Sequence, residues 1–382
     1  MPAPSQSESN LLENRLRPDQ FDRPVARGVV NDDHFKRVAG NGLACERGQA
    51  RRQVGGPVVV DDQHADRRGA GLGELAASIW NRDPVVNNLA ELLPLPDSVI
   101  RFGIDQLVGR TRNLHRIPDE ASEQSFAAGM NRFPIATHTD DANAQHYELP
   151  PAFFRECLGP RLKYSCAYWA DGVRTLAEAE EAMLDMTCRR AGIENGTDIL
   201  ELGCGWGSLS LWIARRYPNC RITAVSNSTP QRMFIEAQAA ERGLENLKVI
   251  TADMNDFVPD FATGRFDRVV SVEMFEHMRN YELLLARIAA WLKLDGKLFV
   301  HIFCHRQLTY PFETEGASNW MGRYFFTGGI MPSEDLLPRF QRDFSLDRQW
   351  RWDGTHYQRT ANAWLASQDS NRADVMRVLE QA

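Results

Sequence analysis

The chain has 382 residues, of which 43% are hydrophobic and 25% are charged, and its formal net charge is −7. A hydrophobic fraction of this size supports a sizeable core and excludes a chain that is disordered throughout. The negative charge disfavours nucleic acid and anionic membranes as partners, and no run approaches the roughly 18 apolar residues that a transmembrane helix needs.

The seven cysteines form no CxxC pair and lack the spacing of zinc ligands. An odd number of scattered cysteines is typical of reduced thiols. The N-terminal run MPAPSQSESNLLENR lacks the basic segment and apolar stretch of a secretory signal. We therefore expect a cytoplasmic protein without a metal site.

Residues 1–72 differ in composition from the rest of the chain. They are rich in Arg, Asp, Gly and Val and follow neither helical nor strand periodicity. Only VGGPVVVDD is typical of a strand, and no partner for it is evident nearby. We expect this region to be a poorly ordered or spurious N-terminal extension.

Helical periodicity begins near Leu72. The runs LGELAASIW and PDSVIRFGIDQLVGRTRNL place apolar residues three and four positions apart, which predicts two helices. A polar stretch follows, and then a long run up to LKYSCAYW that is dense in aromatic and small polar residues. We expect residues 73–174 to form a helical cover with a functional segment, and we interpret Arg161 and Lys163 as exposed charges.

From Thr175 onward, helices and strands alternate. The sequence predicts helices in LAEAEEAMLDMTCRRAGI, SLSLWIARRYP, PQRMFIEAQAAERGL and NYELLLARIAAWLKLDG, and strands in DILELG, RITAVS, LKVITAD, RFDRVVSVE and KLFVHIF. Such alternation is typical of a doubly wound, mostly parallel sheet with helices on both faces. We therefore predict an α/β domain over residues 175–382.

Three glycines, Gly203, Gly205 and Gly207, follow the first of these strands directly. Glycine permits a tight bend and lets the backbone approach a ligand, although a strand-to-helix turn alone could also require it. Ser208 stands where a dinucleotide fingerprint needs glycine, and no acidic residue ends the next strand, where an NAD site usually has one. An NAD oxidoreductase is therefore disfavoured.

Polar residues end the next two strands. Ser226 and Asn227 are placed to bond ribose hydroxyls, and Gln231 lies one turn into the following helix. Asp253 ends the third strand, where it could accept from an adenine amino group or cap a helix. These residues favour a nucleoside cofactor without a pyrophosphate, such as S-adenosylmethionine (SAM).

Two carboxylates and an imidazole follow the fourth strand, in Glu273, Glu276 and His277. Ligands of open α/β sheets bind at the carboxyl ends of the strands, so these side chains are candidates for the reacting groups. Neighbouring like charges raise the pKa of at least one carboxyl group, which suits acid–base chemistry. The alternative is a solvated loop with a helix-capping glutamate.

Seven motifs together resemble one enzyme superfamily. They are HYELPPAFF, LKYSCAYW, LELGCGWGSL, SNSTPQ, EMFEHM, RYFFTGGIMPS and GTHYQRT. They resemble the SAM-dependent methyltransferases of the cyclopropane fatty acid synthase superfamily, and most of all its coclaurine N-methyltransferase branch. The resemblance extends from about Leu95 to about Leu365 and implies the class I methyltransferase fold.

The resemblance also implies roles for single residues. Tyr164 and Ser165 would bind the methionine carboxylate of SAM, the three glycines would line its methionine and ribose, and Asn227 and Gln231 would lie near ribose and adenine. In the N-methyltransferase branch, Glu273, Glu276 and His277 are tied to catalysis. Glu273 would hold a cationic amine, and His277 or Glu276 would take its proton.

Cyclopropane synthases offer a rival interpretation on the same scaffold. They methylate an alkene in a lipid chain and use a bound bicarbonate as base, which here would contact Cys166, Glu276, His301 and Tyr357. The N-methyltransferases keep these positions too, whereas cyclopropane synthases commonly have Gly at position 273. We therefore predict a small, partly apolar amine as the methyl acceptor.

The alternative acceptor is an unsaturated lipid acyl chain, which would bring peripheral membrane contact. The aromatic run that begins at Trp320 and includes Arg323, Tyr324, Phe325 and Phe326 would form a substrate lid or acceptor wall, or else ordinary core. The sequence is compatible with a homodimer.

Overall fold

The computed structural model of the chain describes residues 24–31, 97–114, 120–139, 149–259, 264–316 and 319–381. Within these ranges the strands are β1 (Pro24–Asn31), β2 (Asp198–Leu202), β3 (Arg221–Ser226), β4 (Leu247–Thr251), β5 (Phe266–Val272), β6 (Leu292–Cys304), β7 (Tyr310–Pro311), β8 (Ile330–Met331) and β9 (Ser345–Trp352). Seven of them form one sheet in the order β4-β3-β2-β5-β6-β1-β9, and β7 pairs with β8 separately. Every pairing in the large sheet is parallel.

Helices precede, connect and follow the strands. They are α1 (Asp97–Leu114), α2 (Glu120–Gly129), α3 (Pro151–Cys157), α4 (Leu176–Ala191), α5 (Ser208–Arg216), α6 (Thr229–Glu241), α7 (Tyr281–Trp291), α8 (Trp320–Tyr324), α9 (Thr355–Ser370) and α10 (Arg372–Gln381). The doubly wound α/β fold predicted from the sequence is thus confirmed. None of the described helices is both long and apolar enough to cross a membrane.

Local sequence signals explain where helix α4 begins and ends. The Thr175 side chain accepts from the backbone N–H of Glu178, and the Glu178 side chain accepts from the N–H of Thr175. This reciprocal capping box satisfies two N–H groups that a helix start leaves unpaired. Gly192 ends the helix with φ 63°, a left-handed conformation that suits glycine.

The centre of the sheet is apolar because its strands are covered on both faces. All five residues of β2 are buried, and Leu200 and Leu202 pack in one core cluster with Val269 and Leu298 of the neighbouring strands. The buried centre leaves the carboxyl ends of the strands as the place where polar side chains gather.

Several elements differ from the sequence predictions. The predicted helix over residues 280–296 ends at Trp291, and its last residues begin β6 instead. The polar stretch before residue 130 contains helix α2, although its sequence lacks clear helical periodicity. In the N-terminal region expected to lack order, Pro24–Asn31 forms β1 between β6 and β9. The predicted elements LGELAASIW and VGGPVVVDD lie outside the described residues.

The N-terminal cover is attached to the α/β domain by specific hydrogen bonds. The buried Glu123 carboxylate of α2 accepts from the Thr309 backbone N–H, from the Thr309 hydroxyl and from the Ser333 hydroxyl. Farther along, Ala136 forms a β-bridge with Met278, and its N–H and C=O both bond the Asn255 side chain. The cover therefore contacts the loop that follows β5.

Candidate active site

A cavity opens at the carboxyl ends of β2, β3, β4 and β5. Nine of the predicted site residues line it, namely Tyr164, Ser165, Gly203, Gly205, Asn227, Gln231, Asp253, Glu273 and His277. Five others lie outside its lining, namely Cys166, Gly207, Glu276, His301 and Tyr357. The cover contributes Ala136, Thr137 and Thr139 to the wall.

The three glycines of the loop after β2 have different surroundings. All three have positive φ angles, of 78°, 52° and 78° in chain order. A Cβ atom at Gly203 would lie 2.8 Å from Met274 Cβ, and one at Gly207 would lie 2.6 Å from Ile235 Cγ1. A Cβ at Gly205 would meet no atom within 4 Å. Gly203 and Gly207 thus serve packing, whereas Gly205 leaves the space that a ligand could approach.

The β3 side of the cavity offers hydrogen-bonding groups suited to a nucleoside. The Ser226 hydroxyl donates to Gln231 Oε1 at 2.6 Å, which turns the buried Gln231 amide group so that Nε2 has no partner among the described residues. The Asn227 side chain donates to the Thr139 carbonyl oxygen at 3.5 Å. A buried donor without a partner is costly, so Gln231 Nε2 fits a ligand acceptor.

Asp253 forms a turn rather than a helix cap. One of its carboxylate oxygens accepts from the Asn255 N–H at 2.7 Å, and its carbonyl oxygen accepts from Asp256 and Phe257. Asp253 still lines the cavity. The predicted position near a bound nucleoside is therefore compatible with its structural role.

Tyr164 and Ser165 approach the cavity from the other side. The Tyr164 ring contacts Phe154 at 5.4 Å and Trp364 at 5.7 Å between ring centroids, which holds it on an aromatic cluster. Ser165 is buried, and its hydroxyl oxygen accepts from Lys163 Nζ at 2.5 Å. Both residues line the cavity, and the cofactor contact that the family resemblance implies for them stays a prediction.

Lys163 is buried, so the sequence interpretation of an exposed charge was wrong. Its side chain donates to Ser165 Oγ and, at 2.8 Å, to the Cys166 carbonyl oxygen. Burial lowers the pKa of Lys163, while the charges of Glu273, Glu180 and Glu201 act in the opposite direction. Arg161, by contrast, is partly exposed and pairs with Glu181.

The Glu273 carboxylate is bound by groups on both sides. Its Oε1 accepts from the Cys166 backbone N–H at 2.9 Å, and its Oε2 accepts from the Tyr357 hydroxyl at 2.9 Å. His301 Nε2 lies 3.8 Å from Oε1. Burial raises the pKa of Glu273, and the nearby Lys163 charge and the two hydrogen bonds oppose that rise.

The backbone at Glu273 has φ 51°, in the left-handed region that favours glycine. Its N–H donates to the His301 carbonyl oxygen at 2.8 Å, which extends the β5–β6 pairing by one residue. A glutamate that adopts this conformation carries backbone strain. Strain of this kind is concentrated at functional sites.

Glu276 does not reach the cavity, contrary to the prediction that it would act beside Glu273. It lies in the turn Phe275–His277, is fully buried, and accepts through Oε1 from the Phe303 N–H at 2.8 Å. Burial and the Glu273 charge raise its pKa well above the ordinary value. This carboxyl group thus fixes the turn to β6. Its raised pKa means that the neutral form is favoured.

His277 does line the cavity, and its ring stacks on Phe326 with 4.9 Å between centroids and an interplanar angle of 21°. Burial lowers the pKa of His277 to about 4. The imidazole is therefore neutral at physiological pH. It can accept a hydrogen bond from a bound ligand and does not repel a cationic one.

The aromatic run predicted as wall or core does not line the cavity, so the wall role is not supported. Phe325 and Phe326 belong to a buried cluster with Phe303 and Phe312. Phe326 also carries the His277 ring, so it supports a cavity residue from behind. Tyr324 instead pairs with Trp320 and with the Arg323 guanidinium group.

Bicarbonate does not fit the residues that the cyclopropane synthase interpretation assigns to it. The Cys166 N–H and the Tyr357 hydroxyl already donate to the Glu273 carboxylate. The Cys166 thiol is directed to the Ala167 carbonyl oxygen. A bicarbonate next to His301 would face the Glu273 carboxylate, and like charges repel.

Two site residues were missed from the sequence. Lys163 precedes the YSC motif, and its neighbours gave no sign of burial. Glu201 lies inside β2, is buried, accepts from the Ser210 hydroxyl, and lines the cavity. Only the unusual presence of an acid within an otherwise apolar strand could have indicated it.

Comparison with known proteins identifies the family of the chain. The family described as mycolic acid cyclopropane synthetase matches residues 136–382. The (S)-coclaurine N-methyltransferase of Thalictrum flavum subsp. glaucum is 41% identical over 245 residues, which are 63% of this chain and 67% of that protein. The cyclopropane-fatty-acyl-phospholipid synthase of Escherichia coli (strain K12) is 30% identical over 222 residues, which are 58% of this chain and 54% of that protein.

A solved structure is also similar over most of its length. Coclaurine N-methyltransferase bound to N-methylheliamine and SAH, the demethylated product of SAM, aligns with a TM-score of 0.70 at 33% identity, and the match covers 80% of this chain and 90% of that chain. These matches confirm the resemblance inferred from the seven motifs. The chain therefore belongs to the mycolic acid cyclopropane synthetase family.

Proposed function

We propose that this protein is a SAM-dependent methyltransferase that transfers a methyl group to an amine nitrogen of a small, partly apolar molecule. The cofactor would lie between the glycine loop, Gln231 and the Tyr164–Ser165 segment, where the unpartnered Gln231 Nε2 and the open space at Gly205 fit a ligand. When bound, SAM supplies the electrophilic methyl group.

One observation carries the choice of acceptor: a carboxylate, Glu273, is built into the cavity wall. An amine reaches the site mostly as an ammonium ion, which has no lone pair with which to attack. Glu273 can hold that cation as an ion pair and hydrogen-bond acceptor. Its pKa is raised by burial, which makes the carboxylate a stronger base than an exposed glutamate.

The remaining roles follow from positions in the cavity. His277 is neutral and can orient the amine as a hydrogen-bond acceptor, whereas the proton that the ammonium ion loses passes to Glu273, the stronger base. Alignment of the lone pair with the methyl group is the other task, since a well-oriented pair of reactants needs less activation free energy. We assign Glu276 to the positioning of the turn that carries His277.

Lipid cyclopropanation is the alternative, because the family includes enzymes of that type. Glu273 counts against it, since its carboxylate occupies the donors that a bound base would need. Peripheral membrane contact would follow only from that alternative. The six described cysteines are buried thiols that form no disulfide bond, which supports the reducing cytoplasm that we propose as the compartment.

An isotope-transfer assay tests the proposed function. The protein is incubated with methyl-labelled SAM and either a pool of secondary amines, with cyclic benzylic amines included, or vesicles of unsaturated phospholipid. We expect label in the amine pool and none in the lipid. Label in the lipid alone would overturn the assignment.

A matched variant makes the assay specific for the carboxylate. Glu273→Gln keeps the size of the side chain and removes its charge, so kcat/KM for the amine should fall by about tenfold or more. Calorimetric affinity for SAH should change by less than about threefold, because the change lies on the acceptor side. Equal kcat/KM values for both proteins would refute the role of Glu273.

A further inference from the structure

Lys163 is a buried cation that the proposed reaction does not yet use. The residue is only 4% exposed. Among the described residues that line the cavity, it is the one lysine or arginine. Burial of an ammonium group is costly unless the group is paired or hydrogen-bonded, so its presence here needs a physical reason.

The first reason lies in the geometry of the segment from Lys163 to Cys166. Lys163 Nζ donates to Ser165 Oγ at 2.5 Å and to the Cys166 carbonyl oxygen at 2.8 Å. The N–H of the same Cys166 donates to Glu273 Oε1 at 2.9 Å. Lys163 and Glu273 therefore bind the two polar backbone groups of one residue, and together they fix the segment that carries Tyr164 and Ser165.

A second buried carboxylate continues this arrangement on the other side. Glu180 of helix α4 is fully buried, and it accepts from the Lys163 backbone N–H at 3.2 Å and from the Arg161 backbone N–H at 2.9 Å. The start of the segment is thus bound to α4, and its end is bound to Glu273 after β5. The segment has little freedom to place Lys163 elsewhere.

The second reason lies in the charges around Glu273. The groups that face it are Lys163 and Cys166 from the segment, Tyr357 from α9, His301 from β6 and Glu276 from the adjoining turn. Burial raises the pKa values of Cys166 and Tyr357 and lowers that of His301, so these three groups are neutral. Lys163 is the cation of this set.

We propose that Lys163 is a positioning residue of the methyl-transfer site: its ammonium group fixes the 163–166 segment over the cavity and supplies the positive charge beside which Glu273 remains an anion. The proposal rests on the proposed function, because an ionised Glu273 matters there for holding an amine. The Glu273 carboxylate balances the Lys163 charge when no acceptor is bound.

The test separates the charge of Lys163 from its hydrogen bonds. Lys163→Met removes both, Lys163→Gln keeps N–H donors without the charge, and Lys163→Arg keeps the charge. Lys297→Met is the matched control, since Lys297 is a partly exposed lysine that pairs with Asp347 at 3.2 Å. Thermal melting is measured first, and if Lys163→Met does not fold, Lys163→Gln is the neutral variant that decides.

The first readout is infrared difference spectroscopy without any acceptor. Each protein is compared with its own Glu273→Gln counterpart, which isolates the Glu273 band. In the wild-type chain and in Lys163→Arg we expect the carboxylate band at neutral pH. In the neutral variants we expect the band of a protonated carboxylic acid. A carboxylate band in every variant would overturn the proposal.

The second readout is the pH profile of kcat for the amine. Without the positive charge, the pKa of Glu273 rises further, so Glu273 becomes protonated at a higher pH. The acidic limb of the profile therefore moves to higher pH. We expect a shift of about one pH unit in Lys163→Gln and none in Lys297→Met. A purely structural role would lower kcat or the melting temperature and leave the limb in place.

The two readouts also separate this proposal from the proposed function. If the wild-type chain methylates no amine while the infrared bands change as expected, the proposed acceptor is wrong and the effect of Lys163 on Glu273 stands. If amines are methylated and neither the bands nor the acidic limb respond to Lys163, the role of Lys163 is refuted and the function stands.

Discussion

At Glu273, the backbone favours one residue type and the side chain another. The φ of 51° favours glycine, which would relieve roughly 1–2 kcal/mol of left-handed strain. The carboxylate, however, binds the Cys166 N–H and the Tyr357 hydroxyl. Retention of a strained glutamate is most simply explained by what its carboxylate does in the cavity.

Replacement of Glu273 by glycine should therefore separate folding from activity. Glu273→Gly should fold with a melting temperature near that of the wild-type chain, because the backbone gains what the lost hydrogen bonds cost. Amine methylation should fall by about tenfold or more. Added formate or bicarbonate should restore about a tenth or more of the lost rate, because the freed Cys166 N–H and Tyr357 hydroxyl can bind a small anion.

The control for anion rescue is the double variant Glu273→Gly with Tyr357→Phe. It lacks one of the two donors, so the same anions should restore less activity. Full activity of Glu273→Gly without any anion, measured by initial rates, would contradict the role of the carboxylate.

The residues of the site differ in whether the sequence alone identifies them. The glycines, Asn227 and Glu273 were identifiable because they follow predicted strands. Lys163 was not, because its burial depends on Glu180 and Glu273, which are distant in sequence. The separation of Glu276 from Glu273 was likewise hidden, since it depends on the turn Phe275–His277.

At the scale of elements, the loop between β2 and α5 combines packing and binding in one stretch of glycines. Gly207 is the residue that precedes α5, with φ 78°, and its Cα lies against Ile235. Gly205 has the same handedness but faces open space in the cavity wall. The two glycines should therefore respond differently to the same substitution.

Alanine substitution can show this difference. Gly207→Ala adds left-handed strain and a 2.6 Å contact with Ile235 Cγ1, so we expect a large fall in melting temperature, equivalent to about 3 kcal/mol. Gly205→Ala should cost about 1–2 kcal/mol through strain alone and weaken SAH binding by about tenfold or more. Differential scanning calorimetry and isothermal titration calorimetry check the two effects. An equal loss of stability with unchanged SAH affinity would contradict this division of roles.

The strand–helix alternation from residue 198 to residue 304 was predictable because buried parallel strands and amphipathic helices leave clear patterns. The sequence patterns of strands β1 and β9 are weaker. Most of β9 is exposed, and β1 lacks regular periodicity in its sequence, so neither resembles a buried strand. Their places in the sheet depend on tertiary pairing, which a single sequence does not reveal.

At the scale of the whole molecule, buried acids make stability depend on pH. Burial raises the pKa of Glu201 to about 8, whereas the pKa of a glutamate in an unfolded chain is about 4.3. Between these pH values the folded state binds a proton that the unfolded state does not. The stability that Glu201 contributes is therefore present below the unfolded pKa and is lost as the pH rises towards about 8.

Glu201→Gln should remove this dependence. We expect the wild-type melting temperature to fall more steeply than that of the variant between about pH 5 and about pH 8, in protein free of cofactor. Glu194→Gln, at an exposed position, is the control and should behave as the wild type. Parallel slopes for the wild type and Glu201→Gln would show that Glu201 does not hold its proton in the folded state.

The Glu123 carboxylate has a practical consequence for anyone who shortens this chain. The family match begins at residue 136, and a fragment cut there would lose the acceptor that Thr309 and Ser333 share. Two hydroxyl groups and one amide would then lack their partner. A truncated version intended for crystallisation should start upstream of Glu120, ahead of the point at which sequence similarity sets in.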